Sequence, residues 1–238
     1  MLAGHFVTAL IAHQKIPGKG ALLFFLIASQ LQDLLWLSFH YLGLETTGPV
    51  DLLNVTLMSI TADMVYSHDL LPQLVWMALT FIVGRLVFKR NDIAVAGALL
   101  VFGHFLLDLI SGYPHHVFGE HTHQVGLGLY NTNVYLAILI ELAFTAVAIG
   151  YYFRVDSQRS QPRSSKNRLQ IAGLFVFGVG FLLIIASVSF REWFDIPAFD
   201  PPFNTTILSL VFTYLPMIVY LQYYAGRKES GAVQPDVR

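Results

Sequence analysis

Cysteine is absent from the 238 residues, and charged residues make up only 12% of them. The first absence excludes disulfides, iron–sulfur clusters and thiolate zinc sites, so any bound metal would rest on His, Asp or Glu ligands. The second excludes an ordinary soluble domain, in which about a quarter of the residues are charged. A formal net charge of −1 gives no electrostatic basis for a nucleic-acid partner. No basic residue precedes the apolar start at 1–13, so that segment lacks the form of a cleavable signal and is read as retained. A G-x-S-x-G elbow is also missing, which leaves no serine or cysteine nucleophile motif.

What is abundant is apolar. Hydrophobic residues make up 55% of the chain, and mean hydropathy is +0.59. Stretches near the length of about 20 residues that a bilayer requires run at 21–44, 70–88, 93–111, 131–153, 169–190 and 205–225. None alternates as a barrel strand would, and backbone groups in lipid must be satisfied within the segment, so the spans are helices. The expected fold is all-α, a polytopic membrane protein of six transmembrane helices. A short N-terminal helix over residues 2–13, half-membrane or re-entrant, precedes them.

Thirteen of the fourteen Lys and Arg residues fall on alternate loops: before 21, between 85 and 90, between 154 and 168, and after 226. Only Arg191 lies on the other side. The positive-inside rule makes those loops, including 14–20 and the C-terminus, cytoplasmic. The expected organisation is a four-span domain at 1–153, a flexible cytoplasmic linker at 154–168, two further spans at 169–226, and a disordered tail at 227–238. All nine histidines precede residue 124. Membrane lipids are the expected partners, and homo-oligomerisation is left open.

Ionisable residues at membrane depth are costly unless paired, and so are candidates for function. His5, Asp33, His68, Asp69, His104, Asp108 and Glu141 lie in or at the edge of the spans. His104 and Asp108 are four apart, which puts both on one helical face. At 1.5 Å per residue, Asp33 lies about 20 Å, His104 about 16 Å and Asp108 about 22 Å from the cytoplasmic end. His5 comes out shallowest at about 12 Å. Three His and two Asp gathered in the outer half suit Zn²⁺ or another divalent ion such as Mn²⁺. A proton or ion pathway and plain helix–helix hydrogen bonding are the competing readings. Glu141 is read as a supporting or packing residue, and His13 and His40 as interfacial. The loop 112–130 adds His115, His116, Glu120, His121 and His123, which bind metal or simply face solvent.

The segments G-H-F-V-T-A-L at 4–10, L-Q-D-L-L-W at 31–36, Y-S-H-D-L-L at 66–71 and G-H-F-L-L-D-L at 103–109 occur in order. Together they resemble the bacterial inner-membrane family described as membrane-bound metal-dependent hydrolases, the YdjM-like or LexA-binding group. The likeness covers about 1–131. It implies His5, Asp33, His68, His104 and Asp108 as metal residues. Gln32, Leu35 and Asp69 depart from the pattern, where Pro, a second Asp and Ser are usual. Loss of that Asp removes a ligand for a second ion, and Asp69 or Glu120 is the expected general base or acid. The motif order is also distantly similar to zinc-dependent phospholipase C. The resulting expectation is a metal-dependent hydrolase of a lipid-like or amphiphilic (phospho)ester in the bacterial inner membrane. The alternative is a transporter or assembly factor built on the same cluster.

Overall fold

The computed structural model of the chain describes residues 2–226. Ten helices are present among them: α1 (Leu2–Lys15), α2 (Ala21–Ser29), α3 (Leu31–Tyr41), α4 (Leu70–Phe88), α5 (Asn91–Ser111), α6 (Leu129–Thr132), α7 (Val134–Ser157), α8 (Ser165–Ile184), α9 (Phe190–Phe194) and α10 (Thr205–Gly226). Two small antiparallel hairpins, β1 (Thr46–Gly48) with β2 (Thr61–Asp63) and β3 (His115–His116) with β4 (Gln124–Val125), belong to the loops. The chain is an all-α polytopic membrane protein: α4, α5, α7, α8 and α10 are each long and apolar enough to cross a bilayer. Their outward faces carry large exposed apolar side chains, such as Leu74, Ile82 and Leu86 on α4 and Phe212 and Val219 on α10. That surface suits lipid and would be untenable in water.

The expected continuous span at 21–44 is instead a broken pair. α2 and α3 meet at Gln30 with a bend of 64°, and counting them as one span brings the total to six. No proline or glycine causes the break. It is held by side-chain bonds at the bend: Ser29 Oγ donates back to the Leu26 carbonyl (3.0 Å), and the Ser29 carbonyl is turned toward α5. Irregular backbone at membrane depth is tolerated where it is buried in protein, and Ser29 and Gln30 are fully buried.

α1 has 14 residues and is therefore about 21 Å long, too short to cross. It sits inside the bundle against α2, α5, α7 and α8, with Phe6, Val7 and Leu10 almost wholly buried. Its buried first turn is tied down by Glu141 on α7. One Glu141 oxygen accepts from the Ala3 amide (2.8 Å) and the other from the Tyr130 hydroxyl (3.0 Å). The supporting role read for Glu141 is thus an anchor for the helix that carries His5.

The expected 154–168 linker is mostly ordered structure. α7 runs to Ser157 and α8 starts at Ser165. Buried Asp156 accepts from the Arg163 amide (2.9 Å) and from Arg168 (3.1 Å), while Arg163 donates to the Tyr224 carbonyl (3.0 Å) and the Ala225 carbonyl. These bonds bind the linker to the end of α10, so 169–226 is not a separate unit. The tail at 227–238 lies outside the described residues.

The opposite face is closed by the segment after α3. Its backbone amides at Leu57 and Met58 donate to the Ile185 and Ala186 carbonyls (2.8 and 3.3 Å), and Thr205 donates to the Val50 carbonyl (2.9 Å). Arg191 pairs with Asp51 on this side.

Candidate metal centre

Five side chains from four stretches meet at one place. α1 supplies His5, the first turn of α3 supplies Asp33, the turn entering α4 supplies His68, and α5 supplies His104 and Asp108. All are 7% exposed or less. They form two overlapping triads, His5–His104–Asp108 and Asp33–His68–His104, each with ligand atoms within 4.8 Å of one another. The shallow depth expected for His5 is corrected: its ring stacks on His104 with centroids 3.6 Å apart. α1 starts deeper in the bundle than a helix hanging from the surface would.

The tautomers follow from the partners. His104 Nδ1 lies 2.8 Å from the Ser29 carbonyl, which can only accept, so Nδ1 carries the proton. Its Nε2 then offers a lone pair, and that atom is buried without a hydrogen-bond partner. Facing it are two carboxylate oxygens, Asp108 Oδ2 at 3.1 Å and Asp33 Oδ2 at 3.8 Å. Lone pairs and carboxylates pointed at one another in a dry interior repel unless a proton or a metal cation lies among them.

His68 repeats the arrangement. Its Nδ1 is 2.8 Å from Ser67 Oγ, and Ser67 Oγ donates to Glu45 Oε2 at 2.8 Å. The hydroxyl proton is used on Glu45, so Ser67 accepts from His68 Nδ1–H, and Nε2 is left facing Asp33 Oδ1 at 3.5 Å. His5 Nε2 lies 3.2 Å from Asp108 Oδ1, with its Nδ1 unpartnered. Zinc held tetrahedrally by bonds of about 2.0–2.1 Å has ligand atoms about 3.3 Å apart. Three of the four separations above, 3.1 to 3.5 Å, lie near that edge, and the fourth is 3.8 Å. The buried His/Asp groups could hold a metal ion. Because Ser29 occupies His104 Nδ1, His104 has one ligand atom to give and cannot serve both triads as ligand to two ions at once.

The centre opens into a cavity of about 330 Å³. Asp33, His68, Asp108 and His115 line one end, and Trp36, Leu57, Met64, Phe181, Ile185 and Leu210 line much of the rest. Tyr214 of α10 lies against Asp33. Below the centre, between it and the face carrying 14–20, the side chains of Phe6, Leu10, Phe25, Leu26 and Val101 are apolar and at most 1% exposed. The cavity thus lies on the side of the centre away from that packing.

Two residues read as acid–base candidates are placed elsewhere. Asp69 turns away from the cluster: its oxygens accept from the His116 amide (2.8 Å) and the Gly119 amide (2.6 Å). It fastens the β3–β4 hairpin and has no free oxygen aimed at the cavity. Glu120 is exposed in the hairpin turn and joins neither triad. His121 and His123 are exposed too, and His13, His40 and His116 are half-buried outside the cluster.

Several contributors were either named from the sequence without a place in the centre, as His115 and Gln32 were, or not named at all, as Glu45 was. His115 is 2% exposed, stacks on His68 with centroids 5.3 Å apart, and has an unpartnered Nε2. Burial first, and then the neighbouring His68, push its pKa down to about 3, so the ring is neutral at physiological pH. Glu45 lies 22 residues before Ser67 and acts from the loop after α3. Besides the Ser67 hydroxyl, it accepts from the Tyr66 and Ser67 amides (2.8 and 2.7 Å). Gln32, at a position where the resembled family usually has proline, donates to Gln73 (2.6 Å) and to the Val101 carbonyl (2.7 Å). Gln73 in turn donates to the Ser67 carbonyl (2.7 Å), which steadies the backbone beside His68. The adjacency Ser67-His68 was the one local hint of this network. Comparison with protein-family models, curated proteins and solved structures finds no match to the chain.

Proposed function

We infer that the protein is a membrane-embedded metal-dependent hydrolase acting on a lipid-like or amphiphilic phosphoester or ester. The observation that carries this reading is the position of the His/Asp cluster: Asp33, His68 and Asp108 line the polar end of a largely apolar cavity, and buried His104 completes the triads with them. A divalent ion there supplies a lowered pKa for water and Lewis-acid polarisation of a phosphoryl or carbonyl oxygen. Nitrogen and oxygen donors suit Zn²⁺, with Mn²⁺ as the second choice. His68 and His104, with protons fixed on Nδ1, present Nε2; Asp33 and Asp108 balance the charge. His5, His115 and Tyr214 are further polar groups beside the reacting end. The apolar packing below keeps water and ions from leaking to the far face.

That packing also weighs against the alternative, a metal or proton transporter, because transport needs a polar route on both sides of the site. By the positive-inside rule the 14–20 face is cytoplasmic, and a bacterial inner membrane would place the cavity toward the outer leaflet. The test is turnover of short-chain and long-chain phosphoesters and carboxyl esters by protein in nanodiscs, after chelation and after return of zinc or manganese. Turnover that chelator removes and metal restores supports hydrolysis. Metal-dependent ion flux in liposomes with no turnover would replace it with transport.

A further inference from the structure

We propose that the cavity takes a single-chain amphiphile from the membrane, with its one chain among α8, α10 and the 52–64 segment and its polar head beside His68 and His115. This deepens the hydrolase reading by naming the substrate class, and it rests on that reading only for the chemistry at the head.

Three observations support one chain. The cavity measures about 330 Å³, at the small end of the roughly 300–1,000 Å³ range of small-molecule sites. Its charged and imidazole groups are confined to one end and the rest is largely apolar, with a few hydroxyls such as those of Ser209 and Thr213, so a ligand that fills it is polar at one end and mainly apolar along the rest. The lining residues that keep partial exposure are concentrated on α8–α10: Phe181, Phe190, Ser209, Leu210 and Thr213. The neighbouring outward residues on those helices, Phe177, Leu183, Ile184, Phe212 and Leu215, are exposed and apolar. The mouth thus opens between lipid-facing side chains, and a chain can enter sideways without crossing water.

At the head, His115 adds recognition that the metal residues do not. Its ring is buried, and its Nε2 has no protein partner. An imidazole with that nitrogen protonated donates one hydrogen bond to a head-group oxygen. Each methylene buried in the apolar part strengthens binding by about fourfold, until the chain outgrows the cavity.

Trp36 lines the cavity and is 5% exposed, which makes it a reporter. In a Trp76→Phe, Trp193→Phe background it is the only tryptophan left. The probe is lysophosphatidylcholine brominated near the head-group end of its chain, titrated into nanodiscs with chelator present, against phosphatidylcholine brominated at the same positions on both chains. Saturable quenching of Trp36 by the single-chain probe alone is expected. It should be reduced at least tenfold by Ser209→Phe, which fills the mouth, with metal content unchanged by mass spectrometry. No saturable quenching, equal quenching by the two-chain lipid, or full quenching in Ser209→Phe would overturn the proposal. Quenching is read without turnover, so a protein that binds the probe but no metal refutes the hydrolase reading alone. Metal-dependent turnover of short soluble esters without quenching refutes this inference alone.

Discussion

Replacing Ser67 by alanine isolates the orientation of His68 from every other feature of the centre. Ser67 is fully buried, and its hydroxyl stands 2.8 Å from both His68 Nδ1 and Glu45 Oε2. The variant keeps the two backbone amides that donate to Glu45 Oε1, so the loop stays attached. What it loses is the acceptor for His68 Nδ1–H, together with the hydroxyl donor to Glu45 Oε2. An unsatisfied buried donor costs about 1–3 kcal/mol, and loss of the group orienting a metal-binding histidine lowers metal affinity roughly 10–100-fold. The assay is competition for zinc against a chelator of known affinity, alongside thermal unfolding in the same nanodiscs. A drop in stability with wild-type zinc affinity would refute the reasoning, because His68 would then be a packing residue and not a ligand. Loss of affinity in that range, with Asp69→Ala unchanged, supports it.

Asp69→Ala should keep full metal content while protease cleavage within 115–123 increases, since the carboxylate holds the hairpin and not the ion; loss of the metal would return Asp69 to the cluster. Glu141→Leu removes acceptors for the Ala3 amide and the Tyr130 hydroxyl and should cost about 1.5–3 kcal/mol for each charge-assisted bond. Hydrogen exchange over residues 2–15 should rise, and unchanged protection would show that α1 is held by apolar packing alone. Gly84→Ala puts a Cβ 2.9 Å from the Ala94 Cα on α5 and should destabilise the α4–α5 pair by about 1–3 kcal/mol. An unaltered melting midpoint would contradict that close approach.

The spans and the five cluster residues were legible because membrane depth penalises every polar group, so the few present mark themselves. The HxxxD spacing placed His104 and Asp108 on one face, and helical rise carried Asp33 to their level. The bend at Gln30 was not legible. It leaves 21–41 with the composition of a continuous span, and its purpose, turning the Ser29 carbonyl to His104, depends on a residue 75 positions away. Asp69 misled because it sits beside His68 in sequence; at the entry to α4, adjacent side chains diverge, and only backbone geometry decides which one faces the centre. Glu45 was invisible because nothing in the loop after α3 fixes its distance from Ser67. The C-terminal helices, free of histidine, looked detached from the site, yet they supply much of its apolar wall. Composition sorts residues by chemistry; it does not say which apolar surface a cavity borrows.

The central claim is that these buried groups hold a metal ion, and the most direct measurement is metal stoichiometry of the purified full chain by mass spectrometry. Protein prepared without chelator and supplied with zinc or manganese should carry about one divalent ion per chain. His104→Ala, which removes the nitrogen common to both triads, and Asp33→Asn should each carry far less while remaining folded by circular dichroism. Wild-type protein with no stoichiometric ion after supply, or variants that retain it, would contradict the account.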